Sequence, residues 1–404
     1  MDKQKMVDEI LNRGVIKQVL PSIKDFRKAL LSDKKMKFYI GNDATGSSLH
    51  LSHAKNFILL EEFRNLGHEV YVLFGDLTAC VGDPSDKDSA RAKLTREKAK
   101  ENAESWIEQI SCLINFECKD NPAKVVYNSA WHDKLSLTEL LELLSNATVQ
   151  QMIERDMFQK RLAENKPIFL HEFLYPMFQG YNSVALDTDV ELCGTDQIFN
   201  ALVGRDLLKK YKNKEKFVVA VNLMENPKTG ALMSKSKNTG VFLGGDARSI
   251  FGQVMAEPDE MIEVILRNIT RIPLEEIDAL NIEEKPMKAK LFTAKKITEI
   301  FYGDEKAQKE YDYFVNTFSK RTFSADAEMI EIDKQQVSLF DLITASVPDE
   351  SKSNIRRLIV QGAVSVDGEK CLDGKAVFEI GEGIRVKVGK RRFFEVKKPE
   401  KGRN

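Results

Sequence analysis

Five apolar, β-prone runs alternate with longer helical patterns through about the first 225 residues: MKFYIG (36–41), EVYVLFG (69–75), KVVYN (124–128), TDVEL (188–192) and FVVAVNL (217–223). Strands separated by helix-length segments cannot pair as hairpins, so this alternation predicts an α/β domain with a Rossmann-like parallel sheet. Such sheets bind nucleotides at the C-terminal ends of their strands. From Asp246 to about Phe323 the strand signals vanish, and FGQVMAEPDEMIEVILRNI, PMKAKLFTAKKITEIFYG and EKAQKEYDYFVNTFSK read as helices broken at Pro or Gly. The expected organisation is an α/β domain over 1–228, a loop and all-α domain over 229–323, a polar linker over 324–335, and a small α+β module over 336–404.

Charge singles out that last module. Residues 351–404 hold 14 Lys+Arg against 7 Asp+Glu, a net +7 inside a chain whose total is −1. Arg356, Arg357, Lys387, Lys390, Arg391 and Arg392 lie in this basic stretch, the electrostatic footprint of phosphate-backbone binding; the bland alternative is a solvated basic terminus. At 42% hydrophobic residues the chain can bury a sizeable core. No apolar run approaches membrane-spanning length, and MDKQKMVDEILNRG reads as a charged amphipathic helix rather than a signal peptide. Five scattered cysteines without a C-x-x-C pair point to reduced thiols and a cytoplasmic setting.

The segment YIGNDATGSSLHLSH, Tyr39 to His53, reads as a strand, a polar turn and a helix start. His50 and His53, three residues apart, face one way at a helix N-terminus, where backbone N–H groups and imidazoles can meet an oxyanion. A cap or packing role is the plain alternative. A zinc site is disfavoured, because the pair lacks the H-E-x-x-H glutamate and a nearby cysteine. A second cluster, LMSKSK (232–237), places two lysines and two serines on a loop after FVVAVNL, suited to clamping phosphates.

HLSH followed by LMSKS resembles the paired HIGH and KMSKS signatures of class I aminoacyl-tRNA synthetases. With FGDLTACVGDPSDKDSAR, YPMFQGYNSVALDTDVELCGTDQ and the basic C-terminal module, the chain is similar over essentially its whole length to bacterial tyrosyl-tRNA synthetases. The resemblance implies activation of L-tyrosine by ATP with Mg²⁺, no tightly bound cofactor or resident metal, transfer to tRNA(Tyr), and a homodimer. It implies that Thr45, His50, His53, Lys87, Arg91, Lys235 and Lys237 serve the phosphates, and that Gly41, Ser52 and Asp196 belong with them to the ATP site, Asp196 taking the ribose hydroxyls. It places Tyr39 and Asn182 near the substrate phenol, Asp83, Tyr175 and Gln179 around the α-ammonium, and Asp43 with Gln197 at the α-carbon end. The C-terminal module is similar to the RNA-binding fold of a small-subunit ribosomal protein.

Three positions depart from the family pattern. Asn182 stands where an aspartate usually accepts the substrate hydroxyl, and its amide could present either oxygen or nitrogen. Ser52 replaces the glycine of HIGH, and Leu232 the first lysine of KMSKS. Two other readings stay open at this point: an adenylating paralogue with another amino acid or acceptor, and a non-catalytic RNA-binding paralogue.

Overall fold

A computed structural model describes residues 2–84, 94–233, 240–319, 327–380, 383–389 and 392–399. Lys87, Arg91, Lys235, Lys237, Lys390 and Arg391 lie outside the described residues. The chain divides into two compact units, Met1–Ala307 and Gln308–Asn404.

The first unit is built on a six-stranded sheet of order β1-β6-β5-β2-β3-β4. Its strands are β1 Ile16–Leu20, β2 Lys37–Asn42, β3 Glu69–Phe74, β4 Lys124–Tyr127, β5 Val190–Gly194 and β6 Phe217–Val221. The five expected strands are present and run parallel. The sequence reading passed over β1, an edge strand antiparallel to β6. Its sequence IKQVL buries Ile16 and Val19 but leaves Lys17 and Gln18 exposed, too little alternation to stand out. In β2 the consecutive residues Phe38, Tyr39 and Ile40 are all buried, as expected where helices cover both faces. Phe38 stacks on Phe63 at 4.5 Å between centroids, and Phe26 closes on Phe63 edge-on at 6.0 Å. Phe63 belongs to helix Leu51–Asn65, which follows the turn leaving β2.

The order of the strands matters for function. From β2 the chain crosses to β3 on one side, while β5 lies on the other, so a crevice opens beyond the C-terminal end of β2 at this switch point. Helices Ala247–Ala256, Met261–Ile269 and Pro286–Tyr302 follow in the same unit. The buried Arg13 guanidinium donates to the carbonyls of Arg267 (3.0 Å) and Ile272 (2.7 Å), and Arg271 pairs with Glu62 at 2.6 Å. These bonds fasten the helical segment to the N-terminal helix and to helix Leu51–Asn65.

In the second unit, helices Leu339–Ser346 and Lys352–Val360 precede most of the strands, as read from the sequence. The strands are β7 Glu328–Glu331, β8 Gln336–Ser338, β9 Val364–Val366, β10 Glu369–Lys370, β11 Val377–Glu379, β12 Ile384–Val388 and β13 Arg392–Lys397. One sheet runs β10-β9-β12-β13-β7, and β11 pairs with β8. Leu342, Ile343, Ile355, Ile359, Val386 and Val396 form its core. The 324–335 stretch, expected as a linker, is partly a strand. Within it, Glu328–Glu331 is a strand pairing in parallel with β13, Phe394 opposite Glu328. Its acidic side chains misled the reading because β7 is an edge strand whose glutamates face solvent.

His68 accepts from the Met36 amide through Nδ1 (3.3 Å) and stacks on Phe38. Burial pushes its pKa down from 6.5 to about 4, so the folded state holds it neutral. The unfolded chain therefore binds the proton first, and the stability present above pH 6.5 is lost as pH falls toward about 4. His68→Gln keeps an acceptor but cannot protonate there. Its melting temperature is expected to fall less steeply than the wild type's over that interval; parallel curves would remove His68 as a cause.

Candidate functional site

The turn leaving β2 is held from outside by helix Arg96–Ile110. Asn102 donates to the Ala44 carbonyl (2.8 Å), Trp106 Nε1 to Gly46 (2.6 Å), and Gln109 Oε1 accepts from the Leu49 amide (2.9 Å). Fixed in this way, the turn delivers His50 as the N-cap of helix Leu51–Asn65, with His53 one turn on. The two imidazole rings lie 4.0 Å apart, and the His50 amide donates to His53 Nδ1 at 3.4 Å. Met233, within the second signature, and the stretch Val241–Leu243 after it come to the same place. Met233 lines the cavity, the Leu51 amide donates to Val241 (3.0 Å) and the Leu243 amide to Leu49 (2.8 Å).

Beside the histidines opens a cavity of about 1480 Å³. Gly41, Asp43, Thr45, His50, His53, Asp83, Tyr175, Gln179, Asn182 and Gln197 all line it, so residues separated by 150 positions of sequence meet around one space. Tyr39 does not line it. It lies behind the wall, 1% exposed, with its hydroxyl 2.9 Å from Ser183 Oγ. Ser52 and Asp196 are also absent from the lining, and Asp196 is exposed at the mouth beyond β5, its carboxylate 3.2 Å from Gln197 Nε2.

The polar wall is continuous. Gln197 donates to Asp83 (2.7 Å), and Asn200 donates to both Gln197 Oε1 and Gln179 Oε1 at 2.9 Å. The Tyr175 hydroxyl donates to Asp43 Oδ2 (3.0 Å), whose other oxygen accepts from Thr78 (2.7 Å). Two carboxylates and the amide oxygens between them give this end acceptors for a cation. Below it lies a buried ion pair, Lys216 with Glu191, at 0% and 2% side-chain exposure. Lys216 also donates to Ser183 Oγ (2.6 Å), and Gln179 donates to Glu191 Oε1 (3.3 Å). Lys216 reaches Ser183 because helices Leu174–Leu186 and Ile198–Lys212 approach through glycines. A Cβ on Gly204 would lie 2.8 Å from Lys216 Nζ, and one on Gly180 would lie 3.0 Å from the Gly204 nitrogen.

Burial, and then the Glu191 charge, push the Tyr39 phenol well above its ordinary range, so it stays protonated. Burial also pulls Lys55, on the first turns of the signature helix, down to about 7. At the far end of the cavity, Asn182 Oδ1 accepts from Trp131 Nε1 (3.0 Å) and lies 3.1 Å from His132 Nε2. Burial pushes His132 down to about 4, so it is neutral.

Sequence reasoning missed Ser183, Asn200, Glu191, Lys216, Trp131 and His132. One signal was available for the ion pair, since Glu191 sits inside the apolar TDVELCG and Lys216 opens KFVVAVNL, and a charge in a strand buried on both faces requires a partner. In the second unit, Arg356 and Arg357 are exposed on helix Lys352–Val360, Arg356 over the Phe340 ring at 5.2 Å. Lys387 lies over Phe393 at 5.2 Å. Arg392, 38% exposed, pairs with Glu350 and with Asp349 at 3.5 Å.

The family model described as tRNA synthetases class I (W and Y) matches residues 31–319. A tyrosine–tRNA ligase of Aquifex aeolicus is 35% identical over 369 residues, covering 91% of this chain and 93% of the relative. One of Thermotoga maritima is 36% identical over 394 residues, covering 96% of each. Among solved structures, a C-terminally truncated mitochondrial tyrosyl-tRNA synthetase of Coccidioides posadasii superposes with a TM-score of 0.62 at 23% identity, over 76% of this chain and 91% of that one. The Archaeoglobus fulgidus tyrosyl-tRNA synthetase complexed with L-tyrosine gives 0.58 at 18% identity, over 77% and 100%. These two likenesses bear on the fold alone.

Proposed function

We infer the roles of individual residues from the premise that the chain belongs to the class I tRNA synthetases of the tryptophan and tyrosine group, within which it is a tyrosine–tRNA ligase. The reaction joins the tyrosine carboxylate to the α-phosphate of ATP, releases pyrophosphate, and passes the tyrosyl group to the 3′-terminal adenosine of tRNA(Tyr). One observation carries the assignment of roles: two histidines at a helix N-terminus and an acceptor-rich wall line the same cavity.

Asp83, held by Gln197, together with Tyr175 and Gln179 receives the α-ammonium. This leaves the carboxylate directed toward His50 and His53. Attack on the α-phosphorus gathers negative charge on the phosphate oxygens, and donors already fixed there stabilise the transition state without reorganising. Thr45 joins them, and Lys87, Arg91, Lys235 and Lys237 complete the phosphate clamp. Mg²⁺ enters as the counter-ion of ATP. Asp196, exposed at the mouth, takes the ribose hydroxyls, with Gly41 and Ser52 flanking the nucleotide.

Replacing both His50 and His53 with Ala is expected to lower kcat for tyrosine-dependent pyrophosphate exchange by about 100-fold or more while leaving the tyrosine KM within about twofold. A parallel rise in KM would assign the pair to ground-state binding instead.

The basic second unit handles tRNA in this reading, through Arg356, Arg357, Lys387, Lys390, Arg391 and Arg392. Removing residues from Ala327 onward is expected to spare pyrophosphate exchange and to abolish most tRNA charging, and full-length affinity for tRNA should weaken steeply with added salt. Undiminished charging by the shortened chain would exclude the unit from RNA recognition.

The enzyme works as a homodimer. Large apolar side chains are unusually exposed between residues 137 and 170, among them Leu137 (73%), Leu141 (61%), Val149 (60%) and Leu170 (84%), an area that a second copy would cover. Sedimentation velocity should give twice the chain mass, and Leu141→Glu should shift it toward one; a monomeric wild type refutes the dimer. Among the described residues no helix is long and apolar enough to cross a membrane. With five free cysteines, the cytoplasm is the proposed setting.

A further inference from the structure

Asn182 is where the family's usual carboxylate would accept the substrate hydroxyl, and the structure determines which end of its amide is available. Trp131 Nε1 carries a hydrogen and has no lone pair to offer, so at 3.0 Å it requires an acceptor. Turning the amide over would set NH₂ against N–H. The same oxygen lies 3.1 Å from His132 Nε2, and a neutral imidazole satisfies it by carrying its hydrogen on Nε2. Two donors therefore claim Asn182 Oδ1. The residue is 3% exposed and lines the cavity, which leaves Nδ2 as the end available to a bound molecule.

We propose that Trp131 and His132 are positioning residues that turn Asn182 into a hydrogen-bond donor to the phenol oxygen of the substrate, so that this end of the cavity reads a lone pair where a carboxylate would read a proton. The inference rests on the tyrosine-activating role proposed above. The surrounding charges are compatible with it. Glu191 lines the same cavity, and its charge is balanced by the buried Lys216, whose ammonium lies 5.9 Å from the Tyr39 ring centre. An aspartate at 182 would add a carboxylate to a cavity already lined by Asp43, Asp83, Glu172 and Glu191, and would set it against a neutral His132.

The two arrangements respond in opposite ways to an ionised phenol. A carboxylate repels a phenolate, whereas an amide N–H binds it at least as well as a phenol. The test compares L-tyrosine with a ring-fluorinated tyrosine whose phenol is ionised at about pH 8, against the ordinary tyrosine value near 10. The readout is kcat/KM in pyrophosphate exchange, for wild type and for Asn182→Asp, with L-tyrosine as the internal reference at the same pH. Wild type is expected to use the ionised analogue within about tenfold of tyrosine, and Asn182→Asp to discriminate against it by about 100-fold more, as a close like-charge contact demands. Trp131→Phe, which removes the indole N–H and frees the amide to turn, should move the ratio part of the way at an unchanged ATP KM. Strong rejection of the ionised analogue by the wild type overturns the donor assignment whether or not either variant folds. Absence of any tyrosine-dependent exchange is a different failure: it overturns the substrate reading and the inference with it.

Discussion

The Lys216–Glu191 ion pair is the interaction on which the cavity depends. Taking two charges out of water costs several kcal/mol per ion unless geometry and further hydrogen bonds offset it. Here the offset comes from four elements at once. Glu191 is on β5, Lys216 immediately precedes β6, Ser183 and Gln179 project from helix Leu174–Leu186, and Tyr39 reaches Ser183 from β2. Strand register, helix spacing and floor of the cavity are therefore one arrangement. Gly180 and Gly204 belong to it too, since a Cβ on Gly204 would meet the ammonium and one on Gly180 would meet the Gly204 backbone.

The polar wall and the phosphate end are joined through backbone rather than through side chains. The stretch Val241–Leu243 exchanges amide bonds with Leu49 and Leu51, so the chain that follows the second signature is anchored to the residues of the first. Asp43 connects them from the other side, accepting from Thr78 and Tyr175 at the end of β2. The acceptor-rich wall and the histidine-bearing helix start thus share a single strand terminus.

Much of this was legible in the sequence, for physical reasons that also explain what was not. The inner parallel strands β2, β3, β5 and β6 announce themselves because strands covered on both faces are largely apolar, and the edge strand β4 shows through its apolar KVVY run; β1 and β7 escape notice because each is an edge with polar residues outward. His50, His53, Asp83, Gln179 and Gln197 follow from motif resemblance, and the fold brings them to one cavity. Tyr39 was expected against the substrate and lies behind the wall, because its hydroxyl is drawn toward Ser183 and the buried charges. Asn200, Trp131 and His132 carry no local signal. Their roles arise from neighbours 3 to 51 positions away, and no periodicity records such pairings.

The clasp on the first signature has a hereditary consequence. The shape of the turn between β2 and the histidines is held by Asn102, Trp106 and Gln109, on a helix more than fifty residues downstream. Those three side chains bond to backbone atoms of Ala44, Gly46 and Leu49, and are indifferent to which side chains the turn carries. The side chains of the turn are thereby released from maintaining its geometry. The constraint migrates to the helix: Asn102, Trp106 and Gln109 should vary less among descendants of this chain than several side chains of the turn they hold.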